Sequence, residues 1–95
     1  MFDVTLISDI RDGAVRRASF QTCGAVCSRQ IDIELDGDIV RSVRYTGGCH
    51  GNTQGIGALV VGMSKDDVIV RLSGIDCEGR GTSCPDQLSR ALKML

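Results

Sequence analysis

Strands first and helices after them is the layout this chain predicts: an α+β domain, with an antiparallel β-meander of about three strands and helices packed on one of its faces. Three observations carry that reading. Ile31-Asp32-Ile33-Glu34-Leu35 alternates strictly between apolar and acidic residues, the pattern of a half-buried strand. Leu35-Asp36-Gly37-Asp38 is a short hairpin signal, because Asp-Gly tolerates the positive φ angles of a type I′ turn. Past the hairpin the spacing changes: Ile56, Leu59, Val60 and Met63 fall at i, i+3, i+4 and i+7, one stripe of an amphipathic helix.

The chain reads as one domain over 1–95, of which 1–18 form an N-terminal extension with little pattern. Phe2 to Ile7 alternates briefly, and a polar loop follows around Asp12-Gly13. A short strand is predicted over Arg17 to Thr22, an irregular turn over Cys23 to Ser28, then the alternating strand and its return from Ile39 to Tyr45. Ile31, Ile33 and Leu35 should face Ile39, Val43 and Tyr45 in the core, which leaves Arg41 a misfit. In the first helix Gly55 and Gly57 each cost roughly 1 kcal/mol relative to alanine, so close backbone approach to the sheet or to a partner is their expected use. Ser64 with Asp66 and Asp67 opens a second helix, which turns Val68, Ile69 and Leu72 inward and ends at Gly74. Ser83 caps the last helix, with Pro85 and Asp86 in its first turn and Leu88, Ala91, Leu92 and Leu95 buried.

Composition narrows the function classes. At 95 residues folding hides only roughly 60 to 65% of the unfolded chain's surface. Aromatics are only 3%, Phe2, Phe20 and Tyr45, so the core must come from smaller side chains and a metal or a partner would help it. Eleven basic residues against twelve acidic ones leave no basic face, which argues against nucleic-acid binding. Met1-Phe2-Asp3-Val4 carries no basic leader, and no apolar run approaches the ~18 residues of a membrane span, so a cytoplasmic, non-membrane protein is expected. Five cysteines, an odd number, in a reducing compartment do not form a disulfide framework. Metal, redox or catalytic uses remain.

Cys27, Cys49, Cys77 and Cys84 sit in turns rich in Gly, Ser or Pro, where thiolates can approach one centre without moving a rigid element. Cys84 opens the last helix and Cys49 lies just ahead of the first, where the positive end of the helix dipole favours a thiolate. Four such sulfurs suit Zn²⁺ in a closed site and equally an iron–sulfur cluster. No pair has CxxC spacing; Cys23 and Cys27 form CxxxC. His50, the only histidine, is a further candidate ligand or a base beside Cys49, or a solvated loop residue.

Gly47-Gly48-Cys49-His50-Gly51-Asn52, Gly74-Ile75-Asp76-Cys77 and Gly81-Thr82-Ser83-Cys84-Pro85-Asp86-Gln87-Leu88 strongly resemble the TSCPD-domain family, from about Ser19 to the C-terminus. The resemblance implies a stand-alone relative of a domain that also ends adenosylcobalamin-dependent ribonucleotide reductases. It maps the family's cysteines onto Cys27, Cys49, Cys77 and Cys84 and leaves Cys23 as an extra. A more distant similarity to iron–sulfur scaffolds of the IscU and NifU kind implies the same strand-then-helix layout, with Cys27, Cys49 and Cys84 as equivalents. Arg29 and Ser83 depart from the scaffold pattern, where an aspartate and a histidine are expected.

The leading expectation is a small metal-binding accessory domain using zinc, or an iron–sulfur cluster, on four cysteines. A second is a thiol-redox or accessory module related to ribonucleoside-diphosphate reductase, with Cys49 and Cys84 cycling between dithiol and disulfide. The chain has no room for that enzyme's barrel and nucleotide sites. The third is a non-enzymatic interaction domain that docks through its glycine-rich helix or forms a homodimer through a sheet edge. The expected partners are proteins, a reductase or the iron–sulfur machinery, with neither nucleic acid nor membrane.

Overall fold

The computed structural model describes residues 2–48 and 50–95, and among them four strands precede three helices. The strands are β1 (Thr5–Asp12), β2 (Val15–Gln21), β3 (Ser28–Asp36) and β4 (Ile39–Gly47), and they form one antiparallel sheet in the order β1-β2-β3-β4. The class is therefore α+β as expected, with one more strand than the meander of about three. The additional strand is β1. All of its residues are exposed, and its register slips between Leu6 and Ser8, so the alternation that reveals a strand is interrupted at Ile7.

The alternation over 31–35 holds: Ile31, Ile33 and Leu35 are fully buried, paired with Tyr45, Val43 and Val40. Arg41 is no misfit. The register shifts between Glu34 and Leu35, so Arg41 is the extra residue of a bulge, and beyond it Val40, rather than the expected Ile39, turns into the core while Ile39 is exposed. In the hairpin only Gly37 takes a positive φ, 58°, whereas a type I′ turn needs it at both central residues. Its N–H donates to Ala14 O at 2.9 Å and ties this turn to the β1–β2 turn.

The helices are α1 (His50–Val60), α2 (Lys65–Leu72) and α3 (Cys84–Lys93). One core joins Ala18, Phe20 and the buried residues of β3 and β4 to Val60, Val68, Leu88, Ala91 and Leu92 of the helices. Across the sheet from it, Arg17 pairs with Glu34 and Ser19 donates to Asp32. Gly57 is where α1 meets β4: a methyl group there would lie 2.6 Å from the carbonyl oxygen of Val43, so only glycine lets the helix approach that closely. Gly55 has open space around it, and Leu59, expected inside, is 78% exposed. No helix among the described residues is long and apolar enough to cross a membrane.

Candidate functional site

α3 begins where chain segments from both ends of the sequence meet. Ser83 caps it, accepting from Asp86 N at 3.1 Å, and its own hydroxyl donates to Ile75 O at 2.6 Å. Asp86 is 3% exposed and accepts from Gly74 N (2.8 Å), Thr82 Oγ1 (2.5 Å) and Arg90 Nε (2.8 Å). Burial alone pushes its carboxyl pKa up, but the hydrogen bonds from Thr82, Arg90 and Gly74 outweigh it and hold the group below the ordinary carboxylate value. Gln87, also buried, accepts from Cys23 N and donates to Phe2 O and Thr82 Oγ1. These bonds tie the N-terminus, the β2–β3 loop and the 75–82 loop to the first turn of α3.

The 75–82 loop is wound around Asp76, whose carboxylate accepts from Gly79 N and Gly81 N. Glu78, Gly79 and Gly81 all take positive φ, and Cys77 N donates to Thr82 O at 3.2 Å, so Cys77 is held at the outer side of a tight turn, exposed. Glycine is needed at 81 for a second reason, since a side chain there would meet the Phe2 ring at 2.8 Å.

Between this loop, α1 and α3 lies a cavity of about 400 Å³. Cys27, Cys77 and Cys84 all line it, with Arg80, Asn52 and the apolar side chains of Val26, Ile56 and Pro85. Cys84 Sγ is 3.2 Å from Ser28 Oγ, and the Cys84 carbonyl accepts from Tyr45 OH at 3.0 Å. Burial, and then Cys84, raise the Tyr45 pKa well above its usual value, so this hydroxyl stays a donor at all ordinary pH. Arg80 Nη1 lies 3.7 Å from Cys27 Sγ. Its pKa is raised by that contact first and by the charge of Cys77 next.

Of the expected site residues, Cys49 lies outside the described residues, and the other three share this cavity. Cys23 does not line it. His50 opens α1, exposed, with its ring against Gln54 Nε2 and in a separate groove with Val43 and Ala58. Among the described residues no group of three or more His, Cys, Asp or Glu side chains is positioned to hold a metal ion. Sequence reasoning missed Ser28, Arg80, Asp86 and Gln87. For the last two a signal exists: Asp86 is four residues before Arg90, and Gln87 shares a helix face with Ala91.

The fold and this cavity define a small α+β domain with a concave site lined by three thiols. The chain belongs to the TSCPD-domain family, whose model matches residues 8–95. No curated protein and no solved structure matches it.

Proposed function

We propose that this TSCPD domain is a thiolate metal-binding module, with Cys27, Cys49, Cys77 and Cys84 as ligands and Zn²⁺ as the ion; an iron–sulfur cluster is the alternative cargo of the same sulfurs. The observation that carries the reading is the cavity, which takes cysteines from the β2–β3 loop, the 75–82 loop and the start of α3. Cys49 precedes α1 directly, and Gly51 and Asn52, in the first turn of that helix, line the same cavity. Soft sulfur donors select zinc or iron–sulfur clusters over hard cations. A guanidinium 3.7 Å from Cys27 offsets part of the negative charge that four thiolates bring to a divalent ion. The domain would act as a cytoplasmic accessory to a reductase or to the iron–sulfur machinery.

Metal analysis with an absorption spectrum tests this directly. Gently purified protein should carry close to one zinc per chain and be colourless; a brown protein with iron and inorganic sulfide identifies the cluster. Cys→Ser changes at 27, 49, 77 or 84 should each lower the metal content, while Cys23→Ser and His50→Ala leave it unchanged. Less than about a tenth of a metal per chain rejects the proposal.

The Arg80–Cys27 contact supports a second reading, in which thiols of this cavity cycle between dithiol and disulfide and pass electrons to a reductase partner. On that reading the metal-free protein is alkylated at about pH 6 faster than free cysteine is, and an equal rate removes it.

A further inference from the structure

The two edges of the sheet are finished differently. β4 is bonded at one end by the turn after α1: Val40 N donates to Met63 O at 2.9 Å, and Gly62 N to Val40 O at 2.8 Å. β1 is hydrogen-bonded in the sheet to β2 alone, and all eight of its residues are exposed. Three of them are large and apolar, Leu6, Ile7 and Ile10, the last at 60% exposure. A strand of that length with an unpaired outer row of N–H and C=O groups is a template for another strand.

The charges on β1 specify which strand fits. Asp9 and Arg11 flank Ile10 with opposite signs. When a second copy pairs antiparallel with Ile10 opposite the partner's Ile10, Asp9 falls opposite the partner's Arg11, and Arg11 opposite the partner's Asp9. Both contacts are then cross-strand ion pairs, each the image of the other about the two-fold axis, and no like charges meet across the new strand pair. The faces agree as well. Asp9 and Arg11 stand opposite Ala18 and Arg16 of β2, on the core side, whereas Ile10 stands opposite Arg17 on the other side, so Ile10 meets its own copy apart from the charges. Arg16 already orients the Asp9 carboxylate, through two hydrogen bonds of 2.8 and 2.6 Å. Each carboxylate oxygen accepts one of them and keeps a lone pair for a second cation.

We infer that β1 is a homodimerisation edge, on which a second copy of this chain continues the sheet antiparallel about Ile10. One strand edge is a small interface beside the roughly 1,600 Å² of standard complexes, so association is expected at micromolar concentrations and above.

Sedimentation velocity over a concentration series tests it, with circular dichroism to verify folding. Wild-type protein should shift from monomer to dimer as concentration rises. Asp9→Lys and Arg11→Glu each turn both ion pairs into repulsions and should weaken the dimer by about tenfold or more. An equimolar mixture of the two variants should associate again, because the introduced lysine then faces the introduced glutamate while the remaining Arg11 faces the remaining Asp9. Recovery in the mixture cannot come from a folding defect in either variant. A wild type that stays monomeric throughout, a dimer indifferent to both substitutions, or a mixture that fails to recover overturns the inference.

Discussion

α1 and α3 form facing walls of the thiol-lined cavity, and they are built in opposite ways. α3 has a serine cap, a proline and an acid in its first turn, basic residues in its last, a strong apolar stripe of Leu88, Ala91 and Leu92, and six buried residues in all. α1 has no acid in its first turn, no base in its last, a weak stripe, and glycine at 51, 55 and 57. Intrinsic preference holds α3 in shape, whereas α1 depends on its seat against β4. A thiol-bearing cavity with one firm wall and one yielding wall can adjust to what it takes up without losing the frame that places Cys84.

The firm wall fails most severely at Asp86. Asp86→Ala removes the acceptor of Gly74 N–H, Thr82 and Arg90 together, and should cost about 3 kcal/mol in urea unfolding. Its pH dependence has a defined sign. The folded-state pKa is below the unfolded value, so the stabilisation is fully present above about pH 4 and is lost as pH falls through the folded value. Asp86→Asn should flatten the acid limb of the stability curve, and an unchanged limb would place the acid sensitivity elsewhere.

Next comes the seat of the yielding wall. Gly57→Ala drives a methyl into the Val43 carbonyl and should cost about 2 kcal/mol, with amide exchange in α1 accelerating more than in α3. Ser83→Ala, back on the firm side, should cost about 1 kcal/mol, since it removes a cap and the bond to Ile75 O while the stripe below stays packed.

What could be read in the sequence follows the same division. The α3 wall is legible because its signals are local: Ser83, Pro85, Asp86 and the spacing of Leu88, Ala91 and Leu92 all point to one helix. The β3–β4 hairpin is legible through strict alternation, up to the bulge at Arg41, where one extra residue exchanges the faces of Ile39 and Val40. β1 was hidden because the brief alternation from Phe2 breaks off at Ile7, where the register slips, and an edge strand exposed on both sides has no reason to resume it. In the site, cysteines in glycine-rich turns stand out by composition, but Arg80 does not. Its place beside Cys27 depends on a loop wound about Asp76 with a positive φ at Glu78, which no pattern announces. Gln87 carries only half a signal: it shares a helix face with Ala91, but a polar residue in a first turn reads as solvated, and only its bonds to Cys23, Phe2 and Thr82 make its burial favourable.

The sharpest test of the contrast is also the smallest effect. Gly55 and Gly57 are two residues apart on α1, and helix propensity alone treats them alike, each a gain of roughly 1 kcal/mol when replaced by alanine. Their surroundings do not: a methyl at 57 meets backbone at 2.6 Å, and a methyl at 55 meets nothing within 4 Å on the side that borders the cavity. Gly55→Ala should therefore stabilise the domain by about 0.5 to 1 kcal/mol, opposite in sign to Gly57→Ala. Side-by-side urea melts decide it. Two changes of the same sign would mean that α1 is not seated on Val43 as described, and the account of a yielding wall pinned at one glycine would have to be given up.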